Sequence, residues 1–142
     1  MKRFLSVVVL ILIIFNSAMV TKSHATLEAS DYLSAYCVYI SNSGNTIKVH
    51  YEVEGTRKMD VIGATQVYLY ERVDNNSNWS LVQTYLSSDP TYTSTMLGTN
   101  TAFKLDHVDY SGNSSYQYKA YVTVYAEKNG GSDSRNLIVY YP

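Results

Sequence analysis

Cysteine and proline are almost missing from this chain: Cys37 stands alone, and Pro90 and Pro142 are the only prolines in 142 residues. A single cysteine excludes an intramolecular disulfide, so packing and main-chain pairing must hold the fold. Cys37 lies among Ala35, Tyr36, Val38, Tyr39 and Ile40, a strand-like run in which the thiol is expected to pack as a small hydrophobe. An odd cysteine in an exported protein also leaves pairing between chains open. A catalytic thiol needs a base beside it. With only His50 and His107 beyond residue 25 and no family signature around Cys37, that role is not expected.

Excess positive charge is missing too. Eleven Lys and Arg face twelve Asp and Glu, a formal charge of −1, and no Lys/Arg cluster occurs. Nucleic acid draws most of its affinity from neutralised phosphates, and an anionic membrane surface needs a polybasic segment. Neither is an expected partner.

The one long apolar run is at the start. Lys2 and Arg3 precede an apolar stretch from about Phe4 to Phe15, and a polar segment leads to Ser23-His24-Ala25. This order is that of a secretory signal peptide, with a cut expected between Ala25 and Thr26. The unbroken part, Val7 to Phe15, is too short for a spanning helix, which needs about 20 apolar residues. Residues 1–25 are therefore assigned to a signal peptide, 26–33 to a flexible lead and 34–142 to one domain. Cleavage removes Lys2, Arg3 and Lys22 but no acid, which leaves a formal charge of −4 on 117 residues. No second apolar segment and no cell-wall sorting motif stands before Tyr140-Tyr141-Pro142. The expected location is extracellular, without membrane attachment once the signal is cut.

What the chain does have is alternation and tyrosine. Fifteen tyrosines with abundant Val and Thr suit a pleated, half-buried surface. Strands are expected at about Ala35–Ile40, Thr46–Glu54, Ile62–Val73, Trp79–Leu86, Phe103–Val108, Ser115–Glu127 and Arg135–Tyr141. In the second, Ile47, Val49, Tyr51 and Val53 share one face, and Lys48, His50, Glu52 and Glu54 the other. Gly55 to Asp60 reads as a polar connection, Asp74 to Asn78 as a hairpin loop, and Ser87 to Asn100 as a long crossing connection. Trp79 and Val82 fall out of phase, which predicts a bulge or a change of face. About seven short strands in one domain point to an all-β, antiparallel two-sheet sandwich.

Chemistry-bearing motifs are few. Asp74, Asn76 and Asn78 alternate like the first ligands of a calcium loop, but Trp79 stands where Gly is required and Tyr85 where Glu is required. Asp106, His107 and Asp109 would suit zinc, yet no second cluster completes a tetrahedral site. Nucleophile elbow and phosphate loop are both missing, and nothing selects a carboxylate pair from the twelve acids. No enzyme activity, metal or cofactor is expected. The positive hint is exposed tyrosine. Tyr68 and Tyr70 on the third strand, with Tyr121 and Tyr125 on the sixth, are expected to face out from neighbouring strands and form an aromatic surface.

The run Tyr116 to Ala126, followed by Asn129-Gly130-Gly131-Ser132 and Ser134, resembles the penultimate strand and turn of a fibronectin type III or related immunoglobulin-like module. Tyr51 or Val49 would fill the space that such modules usually give to a tryptophan. A wider likeness rests on Met59-Asp60-Val61-Ile62-Gly63-Ala64-Thr65, Val67 to Tyr70, Trp79, Val82 and Thr84-Tyr85. Over these residues the chain resembles small exported proteins of Gram-positive bacteria with no assigned function. The likeness implies export and a sandwich, and transfers no catalytic residue. The expected role is a secreted, non-enzymatic binding module for a protein or glycan. The alternative is a cell-surface assembly protein acting by strand addition or Cys37 pairing.

Overall fold

Main-chain pairing organises most of the described residues as strands. The computed structural model describes Ser23–His24 and residues 30–142, with side chains from Ser30 onward. Apart from Ser23–His24, the residues assigned to the signal peptide lie outside those described. So do residues 26–29 of the expected lead.

The elements are β1 (Ser23–His24), β2 (Leu33–Ser43), β3 (Thr46–Arg72), β4 (Ser80–Leu86), the one-turn helix α1 (Thr93–Met96), β5 (Leu97–Ser111), β6 (Gln117–Lys128) and β7 (Gly131–Tyr141). All pairings are antiparallel, and all strands belong to one hydrogen-bonded sheet with the path β1-β2-β3-β6-β7. On its other side β3 pairs first with β5 and then with β4.

β3 sets the shape. Gly55 to Asp60 is not a connection between two strands, because β3 continues from Thr46 to Arg72. Pairing with β5 stops at Glu54, resumes at Met59 and leaves a bulge between them. Polar side chains 56–58 face solvent there, while Met59 turns inward and is fully buried. The bulge is tied down by Thr56, whose N–H donates to the Tyr32 carbonyl (3.0 Å) and whose hydroxyl donates to the Asp31 carbonyl (2.7 Å). The Ser30 hydroxyl accepts from the N–H groups of Tyr32 and Leu33, so residues 30–33 of the expected lead are anchored. A second irregularity at Ala64/Gln66 bends β3 again beside Gly63.

These bends curl the sheet until β2 and β7, far apart along the hydrogen-bonded path, lie against each other. One core fills the curl: Ile47, Val49, Tyr51 and Val53 from the first half of β3, Val67 and Leu69 from the second, and Tyr118, Ala120, Val122 and Val124 from β6. The expected shared face of Ile47, Val49, Tyr51 and Val53 is buried throughout, and so are Val67 and Leu69 of β3 and the alternating set Tyr118 to Ala126 of β6. The shift expected near Val82 also occurs: Leu69 pairs with Gln83 and Tyr70 with Leu81, which leaves Val82 as the extra residue. The stretch expected as a long crossing connection is shorter than it read. It holds α1, with Met96 fully buried, and β5 already begins at Leu97. Among the described residues no helix is long and apolar enough to cross a membrane.

Candidate functional site

Alternation along β3 and β6 puts the expected tyrosines on the outer face of the second half of the sheet. Tyr68 lies directly opposite Tyr121, and the rings of Tyr70 and Tyr121 meet edge to face at 5.5 Å. Cross-strand aromatic pairs of this kind stabilise a sheet by up to about 1 kcal/mol while leaving ring surface exposed. Tyr125 is not brought into the group. It stands opposite Gly63, four residues along β6 from Tyr121, which is about 13 Å of strand. Its hydroxyl is committed to the Glu127 carboxylate at 2.6 Å, which raises its pKa, with desolvation adding to the effect.

Residues not singled out from the sequence complete the surface. Lys119 lies opposite Tyr70, with its ammonium 4.9 Å from the Tyr70 ring centre, 4.8 Å from Trp79 and 5.2 Å from Tyr121. The Arg72 guanidinium also lies over Trp79, 4.5 Å from the ring centre, and Tyr140 tilts toward Trp79 at 6.1 Å. Ile138, opposite Tyr121 on β7, is 44% exposed, and Tyr140 is 55% exposed. A cleft of about 500 Å³ runs among Gln66, Tyr68, Tyr70, Tyr121, Asn136 and Ile138. The signal for Tyr140 and Ile138 was present in the sequence: buried Leu137 and Val139 alternate with them. Trp79 gave only its break in phase, because it precedes β4 and reaches the face across a hairpin end.

The motifs weighed for metals are spent on structure. The Asp74 carboxylate accepts from the Asn76 N–H and the Ser77 hydroxyl, both at 2.9 Å, closing the hairpin loop, and these bonds lower its pKa. Asp106 accepts from the His107 N–H and from Lys104, while Asp109 pairs with Lys48. Among the described residues no group of three or more His, Cys, Asp and Glu side chains is placed to hold a metal ion. Cys37 is buried in β2.

The outer face of the first half carries a different cluster. Tyr39, His50 and His107 form one cross-strand row, with Tyr39 stacked on His50 at 4.4 Å and His50 to His107 at 5.1 Å. The Ser41 hydroxyl shares a hydrogen bond with His50 Nε2 (2.9 Å), and Lys48 donates to His107 Nε2 (3.0 Å). Ser41 from β2, Lys48 and Glu52 from β3, and His107 and Asp109 from β5 surround His50. Burial lowers its pKa from 6.5, His107 and Lys48 lower it further, and Asp109 opposes them. The unfolded chain then binds the proton more readily than the native one. The contribution of His50 is therefore complete above 6.5 and is lost as pH falls toward the lowered native value. The thermal midpoint is expected to fall between pH 7.5 and 5.5 at constant ionic strength, with a shallower fall in His50→Gln. Equal slopes would remove His50 as the cause.

Comparison of the chain with family models, with curated proteins and with solved structures gives no match.

Proposed function

We propose that this protein is an exported, non-enzymatic binding module that engages an extracellular protein or glycan through the tyrosine-bearing face of β3, β6 and β7. The observation that carries the reading is the gathering of Tyr68, Tyr70, Tyr121 and Ile138 around one open cleft, with Trp79 and Tyr140 beside it through Lys119. Contiguous exposed apolar and aromatic surface mostly marks an interaction site. Export rests on the order of charges, apolar run and small residues in 1–25.

In the same reading the curled sheet is an immunoglobulin-like or fibronectin type III-like sandwich, and the chain is one of the small exported proteins of Gram-positive bacteria that it resembles. Tyr118 supports the sandwich. It is fully buried near the start of β6, and its hydroxyl donates to the Asn113 carbonyl (2.9 Å) and accepts from the Asn113 N–H (2.8 Å). Such a bond back to a turn a few residues upstream is similar to the tyrosine corner of immunoglobulin-like domains.

Assembly by strand addition draws less support. Along β5 the Thr101 hydroxyl bonds the main chain of Phe103, the Asp106 carboxylate accepts from the His107 N–H, and the Tyr85 hydroxyl donates to the Asp109 carbonyl. A strand added at that edge would have to displace these side chains.

The test is the double variant Tyr68→Ser/Tyr121→Ser, screened against glycan and extracellular-protein arrays alongside the parent. Binding is expected to fall at least 100-fold. The thermal midpoint should move by about 5 °C or less, because a cross-strand pair contributes up to about 1 kcal/mol. Undiminished binding by the double variant would remove this face as the site.

A further inference from the structure

We propose that the ligand of the tyrosine face is an acidic saccharide, with Lys119 as the group that receives its carboxylate. The proposal rests on the binding reading above and adds the chemistry of the ligand.

Lys119 differs from the ion-paired cations of this protein and, unlike the exposed Arg57 and Lys58 of the β3 bulge, is set among aromatic rings. Lys48, Lys104, Lys128 and Arg135 are each paired with an aspartate. Lys119 makes no ion pair and no side-chain hydrogen bond among the described residues. Its ammonium instead lies near three rings, Tyr70, Tyr121 and Trp79, at 4.8 to 5.2 Å. Ring faces hold a cation in place without using its N–H donors on an acceptor. The charge is thus positioned, partly desolvated and still able to donate. Arg72 is more committed, with the Gln117 side-chain oxygen at 2.6 Å, Asn75 at 2.8 Å and Asp74 close enough to feel its charge.

No acid offsets Lys119 from the neighbouring strands. The cross-strand rows are Leu86-Gln66-Thr123-Asn136, Thr84-Tyr68-Tyr121-Ile138 and Leu81-Tyr70-Lys119-Tyr140. None of these positions is Asp or Glu, in a chain whose formal charge is −1. The face is locally cationic on a protein that is not, so an anion would be recognised at this point and screened from the rest beyond about 8 Å at physiological salt.

The order of the rows favours a saccharide over an acidic peptide. Aromatic rings in the middle offer platforms to the apolar faces of sugar rings. The Gln66 row then supplies amides and a hydroxyl, with Thr123 donating to Asn136 Oδ1 at 2.8 Å, to match sugar hydroxyls. From the Lys119 row to the Gln66 row is four residues of strand, about 13 Å, the reach of a short oligosaccharide.

The experiment is calorimetric titration of the parent protein and of Lys119→Met with trigalacturonate, sialyllactose, neutral galactotriose and poly-L-glutamate. At least one acidic saccharide is expected to bind the parent ten-fold or more tightly than galactotriose. Lys119→Met should abolish that preference and keep the parent's thermal midpoint within a few degrees. Equal binding of neutral and acidic saccharides, or a preference that survives Lys119→Met, overturns the assignment of a carboxylate to Lys119 while leaving the face as a site. Binding of polyglutamate alone overturns it in favour of an acidic peptide. Failure of both acidic saccharides to bind overturns it as well, and a ligand captured on the arrays and lost in Tyr68→Ser/Tyr121→Ser would then show that the broader reading stands without it.

Discussion

Gly63→Ala is expected to destabilise the protein by about 3 kcal/mol or more, one of the largest effects of a single methyl in this molecule. Two causes coincide at this position. The backbone has φ +147, a conformation that side chains rarely adopt. A Cβ would also lie 2.1 Å from the Met96 carbonyl oxygen and 3.1 Å from the Leu97 Cα. Those atoms are main chain at the α1–β5 junction, so no rotamer change relieves the collision. Gly63 is held from both sides, opposite Leu97 on β5 and Tyr125 on β6. Gly130 separates the two causes, because it has φ +78 with nothing within 4 Å of its Cβ position. Gly130→Ala is expected to cost about 1–2 kcal/mol, the conformational part alone. Urea denaturation of both variants, with the slope unchanged, makes the comparison. Equal losses would mean that the close approach of Met96 is relieved without cost.

Tyr51→Ala is expected to cost about 3–5 kcal/mol, and Tyr51→Phe about 1–2 kcal/mol. Tyr51 is among the largest fully buried side chains, and its hydroxyl donates to the Thr95 carbonyl at 2.8 Å. Alanine leaves a cavity between the two halves of the curled sheet. Phenylalanine keeps the volume but orphans a carbonyl of α1, a one-turn helix with no side-chain cap. The two variants should therefore differ in kind. Tyr51→Ala lowers global stability, whereas Tyr51→Phe should also speed proteolysis within Ser87–Asn100, because it loosens α1 more than the sheet. Unchanged cleavage in Tyr51→Phe would show that this bond does not hold the connection. Burial, and then the nearby Asp106 charge, raise the Tyr51 pKa well above the ordinary tyrosine value. The hydroxyl thus remains a donor across the working pH range.

Strand faces were the most legible part. Ile47, Val49, Tyr51 and Val53 bury as their alternation implies, and Tyr68, Tyr70 and Tyr121 face outward as theirs implies. A period of two with one buried side leaves little freedom of register. Strand ends were less legible. Polar residues 56–58 read as a loop because exposed side chains look alike in a loop and in a strand bulge. The extra length of β5 was hidden in the same way. Thr99, Asn100 and Ala102 are exposed, and only their pairing with β3 and its bulge makes the segment part of the strand.

Local pattern, acting through the chemistry of single residues and their nearest neighbours, determined the all-β class, the inward sets of β3 and β6, the Val82 irregularity and the outward tyrosines. Tertiary structure decided what those tyrosines meet. Trp79 from a hairpin end, Lys119 opposite Tyr70, and Tyr140 and Ile138 from β7 converge only once the strands pair. The same pairing leaves out Tyr125, whose side of β6 looked equivalent to that of Tyr121, because it stands four residues along the strand and gives its hydroxyl to Glu127. Alternation is a property of one strand, whereas the contents of a cross-strand row depend on register and bulges summed over four strands.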